Sequence, residues 1–357
     1  MARCPISMII TVYNNNEETL AGCLDSLIAQ GAWDSEIIIV NNGSTIESVV
    51  ALCEDYRGRH SRAKVVHMEH DTPAAAYNRG LEAATCRYVH FMDADDRLEE
   101  DAMEKIAPIM LQNFDVIFLD TTFCDSPGFW DISHTNILRR LSQSIPFRLW
   151  DKIIRRDLLI KEDITFSKGV ILESVDFCMN LYIHAQTYGA VDFPYYRRRA
   201  EFDKYTQYGK YAEFAKKVDL DAEDAFNRVI LTLAKWVGPA ESTYEEYGAF
   251  IYDWMIAMYC ELLLPMYRRL SKGSRRLCRS GMEDFRWLLD IQQYGKSQTL
   301  KILCTIFGPL CTSYLMAALD TIVKGMRYTK WKKLKLRLSD AGKLQMTSIS
   351  RRIWQAK

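Results

Sequence analysis

Three carboxylates, Asp93, Asp95 and Asp96, fall within four residues at the end of the apolar run Tyr88 to Met92. Ionised side by side, they repel one another. A divalent cation relieves that repulsion, and two carboxylates separated by one residue at the mouth of a strand can both reach it. Mg²⁺ or Mn²⁺ suits such hard oxygen ligands and is commonly shared with the phosphates of a substrate. The chemistry indicated is displacement of a diphosphate leaving group, with the metal stabilising the charge that develops. A solvated turn before an acidic helix start would use the same residues, since Asp96, Glu99, Glu100 and Asp101 suit a helix N-terminus. What surrounds the cluster separates the two.

The elements that must position it alternate in type. ISMIITV (6–12) reads as a buried strand, and Leu20, Leu24, Leu27 and Ile28 recur at helical spacing behind an Asn cap with Glu17 and Glu18 in the first turn. EIIIV (36–40) is a second strand, 49–56 a helix, 64–68 a third strand, 74–84 a helix, 88–92 a fourth strand, 99–111 a helix and 115–120 a fifth strand. This rhythm predicts a mostly parallel sheet covered by helices on both faces. Ligands of such sheets bind at the carboxyl ends of the strands. Strand one ends in TVYNNNEE, strand two in NNGST and strand four in DADD, so one mouth is expected to gather the polar residues.

The chain has 357 residues, enough for a main globular domain and a second unit. Its ten cysteines are scattered without a CxxC pair, which speaks against a zinc site or a disulfide framework and for a reducing compartment. The zero net charge conceals an uneven distribution. Residues 1–205 carry 21 Lys and Arg against 31 Asp and Glu, whereas 324–357 carry 11 basic residues and the single acid Asp340. Ile302 to Leu319 is free of charges but is split by Gly308 and Pro309, which favours a buried or interfacial helical pair over a membrane span.

Several segments, in order, resemble the inverting GT-A glycosyltransferases of family 2, nucleotide-sugar-dependent enzymes of bacterial surface polysaccharide synthesis. They are ISMIITVYNNNEETLAGCLDSLIAQ, EIIIVNNGST, AYNRGLEAATCRYVHFMDADD, LWDKIIRRDLL and ITFSKGVILESVDF, spread over roughly 5–205. The resemblance implies a Rossmann-like, mostly parallel α/β sheet flanked by helices, followed by an α-helical C-terminal region. It divides the chain into a nucleotide-sugar-binding half at 1–125, an acceptor-binding half at 126–205, a helical domain at 206–323 and a basic amphipathic tail at 324–357.

Carried over by position, it places Thr11, Val12 and Tyr13 in the base pocket. Asn42 stands where the family often has an Asp that holds uracil, and its amide offers both a donor and an acceptor. Gly43 lets the backbone turn tightly. Tyr77 replaces a frequent Arg, while Asn78 and Gly80 match the family. Asp93, Ala94 and Asp95 complete the donor site, with Asp95 and Asp93 as ligands of Mn²⁺ or Mg²⁺. The implied donor is a nucleotide sugar, with UDP-sugar the first expectation.

Inverting transfer needs a general base for the acceptor hydroxyl. The family supplies it from the Asp of a Glu-Asp pair, and here Ser174 falls at that position. Three readings stay open: Glu173 serves as base, Asp176 does, or the protein is a weak or inactive relative that keeps the donor site. Glu173 is the preferred base, and Asp176 also fits a surface role near a helix start. Trp150 and Lys152 match an acceptor-side element in which an aromatic face stacks on a sugar. Arg197, Arg198 and Arg199 follow Tyr195 and Tyr196, and Arg197 or Arg199 can clamp a diphosphate. His67, His70, His90, His134 and His184 lack ligand spacing and are taken as structural, with His184 a remote candidate.

The tail segment KGMRYTKWKKLKLRL suits an anionic membrane surface, and no nucleic-acid fold accompanies it. A peripheral place on the cytoplasmic face of the cell membrane would bring the enzyme to a saccharide or lipid-linked saccharide acceptor. Sugar nucleotidyltransferases need a glycine-rich loop after strand one that TVYNNNEE lacks. EDFRW (283–287) only echoes the QxxRW of processive synthases.

Overall fold

The computed structural model describes residues 6–31, 35–119, 130–132, 148–167, 173–191, 193–197, 222–242, 248–259, 263, 266–267, 270–285 and 288. Strand β1 (Ile6–Val12) and strand β2 (Glu36–Asn42) are apolar almost throughout and buried along their length. A strand covered on both faces by helices needs that pattern. Helix α1 (Glu17–Ile28) starts at Asn16, whose side chain accepts from the Thr19 N–H, as the Asn cap predicts. Helix α2 (Glu47–Arg59) and strand β3 (Ala63–Met68) follow, then helix α3 (Pro73–Ala83). Thr72 caps α3 and Pro73 opens it, where a missing N–H costs nothing. A Cβ on Gly80 would meet Ile9 Cγ2 at 2.3 Å, so α3 lies close on β1.

Strand β4 (Tyr88–Asp93) leads into β5 (Arg97–Leu98), helix α4 (Ala102–Met110) and β6 (Val116–Phe118). After them come β7 (Trp130–Ile132), β8 (Lys152–Arg155), α5 (Arg156–Lys161), α6 (Glu173–His184), β9 (Tyr188–Ala190) and β10 (Tyr196–Arg197). The eight-stranded sheet has the order β3-β2-β1-β4-β8-β6-β9-β7, and β5 pairs separately with β10. β1 to β4 are parallel, β8 runs antiparallel between β4 and β6, and β7 runs antiparallel to β9. The fold is therefore the expected mostly parallel α/β sheet.

The chain runs outward from β1 through β2 to β3, then returns to place β4 on the other side of β1. The crevice at this reversal is where open α/β sheets bind ligands. Because β8 is antiparallel to β4, the turn before it, at Trp150 and Asp151, arrives at the same end of the sheet as the carboxyl end of β4.

Two compact units divide the described residues, one up to Met258 and one from Tyr259. Helices α7 (Ala222–Ser242) and α8 (Ala249–Met258) belong to the first, with Trp236 edge-on to Trp254. The second holds α9 (Lys272–Leu277), capped by Ser271, and α10 (Arg279–Asp284). No helix among the described residues is long and apolar enough to cross a membrane, and 302–319 and 324–357 lie outside those residues.

At the end of the sheet opposite the mouth, Glu36 is buried and accepts from Ser7 Oγ at 2.6 Å, Lys64 Nζ at 2.6 Å and the Thr85 N–H at 2.5 Å. Burial alone would raise its pKa, but these donors outweigh it and bring the carboxyl down to about 2. A pKa below the unfolded value stabilises the folded state above pH about 4.5, and that contribution is lost as the pH falls toward 2. It amounts to about 3 kcal/mol. In acid titrations followed by denaturant melts, Glu36→Gln is expected to be less stable near neutrality and to show a flatter dependence between pH 4.5 and 2. Equal slopes for the two proteins would count against the assignment.

Candidate active site

The register of β1 against β4 sets the site. Thr11 stands opposite Asp93, and on the other side of β1 Val12 stands opposite Asn41, one residue before Asn42. The ends of β1, β2 and β4 thus share one mouth, as their sequences predict. Asp93 and Asp95 are exposed there, whereas Ala94 between them is buried in the core and anchors the turn. The Asp96 N–H closes the turn on the Asp93 carbonyl at 3.2 Å. Asp96 does not start the next helix, as expected from its acidity. It is buried, and α4 begins only at Ala102 because β5 intervenes.

Behind the turn, burial pushes the Cys23 thiol up, and the Asp96, Asp93 and Asp95 carboxylates push it further. The cluster is therefore strongly negative, with two of its three carboxylates facing outward. Among the described residues no three His, Cys, Asp or Glu side chains gather to hold a metal. Two exposed carboxylates with hard oxygens fit Mg²⁺ or Mn²⁺ when the remaining ligands come from a substrate diphosphate or water.

Tyr13 lies half exposed at the mouth and stacks on His70, with ring centroids 4.0 Å apart and planes at 20°. Val12 itself is fully buried in the core. Gly43 has φ +71°, and a Cβ there would come within 2.5 Å of the His70 nitrogen, so both conformation and space require glycine. Asn42 makes a two-way clamp on the main chain of Asp71: its Nδ2 donates to the Asp71 carbonyl at 2.9 Å, and its Oδ1 accepts from the Asp71 N–H at 3.0 Å. The amide expected at a base ring holds the loop after β3 instead. His70 and Asp71 thereby reach the mouth. The rule that singles out the ends of β1, β2 and β4 applies equally to β3, and would have found them.

Asn78 repeats the clamp on another segment. Its Nδ2 donates to the Phe166 carbonyl at 2.8 Å, and its Oδ1 accepts from the Phe166 N–H at 2.9 Å. Tyr77, in place of a family arginine, packs edge-on to Phe91 and against Phe166. Phe166 in turn lies flat on Phe177, with centroids 4.1 Å apart.

On the other side of Asp93, Trp150 stacks on Tyr196 at 5.4 Å and 7°, and the Arg148 guanidinium sits 5.3 Å from its ring centre. The Tyr196 hydroxyl accepts from the Asp93 N–H at 3.1 Å. Burial, then the Asp93 and Asp96 charges, keep that phenol protonated. The pairing of β10 with β5 brings Tyr196 to this place. Lys152, expected beside Trp150 on the acceptor side, is fully buried, and its ammonium contacts Asp151 and the Arg148 carbonyl. Arg197 forks onto Glu99, at 3.0 and 2.7 Å, and Arg199 lies outside the described residues.

His70 lies at the mouth, whereas three other histidines bond to neighbouring side chains and carbonyls. His90 is buried with Nδ1 3.0 Å from the Lys152 carbonyl, and burial lowers its pKa to about 4. His67 lies between Asn41 and Glu54, and His184 Nδ1 meets the Asn180 carbonyl at 2.8 Å. His134 lies outside the described residues.

Helix α6 opens at Glu173, whose side chain lies outside the described residues. Asp176 is not the surface acid of a helix start. It is fully buried and surrounded by donors: Ser167 Oγ at 2.6 Å, Lys235 Nζ at 2.7 Å from both oxygens, and Trp236 Nε1 at 3.1 Å.

Residues 7–170, which include the strand register and the carboxylate turn, match the model of glycosyl transferase family 2. Over this segment, a little under half of its length, the chain is similar to that family. Among curated relatives, glycosyltransferase YibD of Escherichia coli K12 is 30% identical over 196 residues, covering 49% of this chain and 56% of the relative. Glycosyltransferase EpsH of Bacillus subtilis is 28% identical over 217 residues, covering 57% and 62%. The chain therefore matches somewhat more than half of each relative's length. The crystal structure of Staphylococcus aureus TarS 1–349 superposes with a TM-score of 0.62 at 17% identity, over 91% of this chain and 93% of that one. The chain thus has the GT-A fold. TarS 1–349 has also been solved with UDP-GlcNAc bound.

Proposed function

We propose that the protein moves a sugar from a nucleoside diphosphate sugar, with UDP as leaving group, to a hydroxyl of a saccharide or lipid-linked saccharide in cell-surface polysaccharide synthesis. The observation that carries this reading is the register that sets Thr11 against Asp93 at the sheet's reversal, with Asp93 and Asp95 exposed beside it. UDP-GlcNAc bound by TarS on the same fold supports a uridine donor. Mn²⁺ or Mg²⁺ held by Asp93 and Asp95 would neutralise the charge that develops on the leaving diphosphate.

Around that site, Tyr13 and His70 offer ring faces to the base, and the Trp150 and Tyr196 stack offers an aromatic wall to the acceptor. The acceptor oxygen attacks the anomeric carbon from the face away from the diphosphate, the bond from that carbon to the phosphate oxygen breaks, and the electron pair leaves with UDP. Glu173 takes the acceptor proton. Inversion then turns an α-linked donor into a β-glycoside.

A second reading, a nucleotide-sugar-binding relative without turnover, is favoured by Ser174 at the family's base position and by the four bonds that enclose Asp176. A donor hydrolysis assay separates them. Slow, metal-dependent release of UDP from a UDP-sugar is expected of the enzyme, binding without release of the second reading, and no binding of any nucleotide sugar would reject both.

The basic tail supports a peripheral place on the inner face of the cell membrane. Deleting 324–357 should weaken binding to anionic liposomes, and unchanged binding would reject this role.

A further inference from the structure

Helix α7 lies beyond residues 7–170, yet it supplies two of the three side chains that enclose Asp176. We infer that α7 is a working part of the transfer site, in which Lys235 and Trp236 are positioning residues that act through Asp176 on helix α6. The inference rests on the reading of Glu173 as the base.

Three pieces of chain meet at Asp176. The first is the segment before α6: Ser167 donates to Asp176 Oδ2, and its neighbour Phe166 is clamped by the Asn78 amide and stacked on Phe177. Through Asn78 this segment is tied to α3 and the donor half. The second is α6 itself. Glu173 and Asp176 are three residues apart on it, so they lie on neighbouring positions of one helix face. Whatever fixes Asp176 sets the rotation of α6 at Glu173.

The third is α7. Lys235 Nζ reaches both carboxylate oxygens at 2.7 Å, and Trp236 Nε1 reaches Oδ1 at 3.1 Å, while the Trp236 ring packs edge-on to Trp254. The Lys235 side chain is 43% exposed and the Asp176 side chain 0%, so a cation with access to water compensates a carboxylate that has none. Ion pairs built on a buried charge add little net stability over apolar packing, but their directed bonds fix one orientation. Small displacements of a catalytic group cost a great deal of rate.

The test uses the full chain as wild type, Lys235→Met, Lys235→Arg and Trp236→Phe. It reads transfer kcat, donor KM and amide hydrogen exchange along α6. In Lys235→Met, transfer kcat should fall roughly 10²-fold, with donor KM changed less than about twofold and exchange faster within 173–184 but unchanged over 6–98. Lys235→Arg should recover most of the rate, because it keeps a cation against Asp176. Trp236→Phe removes one bond and keeps a ring, so it should lose less in the same direction. It also carries the test if Lys235→Met does not fold.

Unchanged kcat together with unchanged α6 exchange overturns the inference. So does a loss shared equally by donor KM, which would mark general loosening. If the wild type transfers nothing, the proposed function fails. The exchange measurement, which needs no turnover, then still decides whether α7 holds α6.

Discussion

Asp95→Asn is expected to lower turnover about 10³-fold, equivalent to about 4 kcal/mol of lost charge stabilisation, with the fold intact. The carboxylate is exposed and the substitution keeps its shape, so little packing is at stake. Asparagine leaves one oxygen but no charge, and a cation shared with a diphosphate would then rest on Asp93 alone. Steady-state rates across a range of Mn²⁺ concentration measure this. A loss of less than tenfold, or a rate that never depended on a divalent cation, would show that the carboxylate turn does not serve the leaving group. Asp93→Asn is expected to cost as much in rate and little in stability, because the bonds to Tyr196, Asp96 and the Cys23 thiol run through the Asp93 main chain, which the substitution keeps.

Glu173→Gln and Asp176→Asn should separate two roles that lie three residues apart. A positioned general base contributes about 10² to 10⁴ in rate. Glu173→Gln should lose a factor of that size, keep the wild-type melting temperature and lose the acid limb of the pH–rate profile. Asp176→Asn should destabilise the fold and, by loosening α6, lower kcat about as far as Lys235→Met does. It removes the charge that Lys235 compensates and turns one acceptor oxygen into a donor facing other donors, at a cost of about 2 kcal/mol. Lys235 is part-exposed, so its share of that figure is already discounted for screening by water. A shift of a few degrees in melting temperature would report it. An Asp176→Asn protein that melts normally but has no turnover, beside an active Glu173→Gln, would exchange the two assignments.

Much of the donor half is legible in the sequence, for physical reasons. Ile6–Val12 and Glu36–Asn42 are apolar enough to demand cover on both faces, and Asn16 caps its helix in the expected way. The rule that ligands collect at strand ends then brings Thr11, Asn42 and Asp93 together before any coordinate is known. What escapes is the choice of partner for polar side chains. Asn42 and Asn78 both have the types expected at a nucleotide, but each amide closes on a main-chain peptide held near it by the fold.

Lys152 illustrates the same limit. An isolated lysine reads as exposed, and only the antiparallel entry of β8 between β4 and β6 buries it against Asp151. That insertion has no local signature. KIIR can pair in either direction, and the neighbours that choose the direction lie some 35 to 65 residues earlier in the chain. Asp176 is the clearest case. Its partners Lys235 and Trp236 are about 60 residues downstream, and spacing along the chain cannot announce a contact of that range.

The central claim is that the mouth between β1 and β4 binds a nucleoside diphosphate through a cation shared with Asp93 and Asp95. Calorimetric titration of UDP into the full chain, with and without Mn²⁺, tests it most directly when repeated on Asp95→Asn. The account predicts that Mn²⁺ tightens UDP binding at least tenfold in the wild type and that Asp95→Asn loses this gain. Equal UDP affinity with and without Mn²⁺ in both proteins, or no binding of UDP by the wild type, would contradict it.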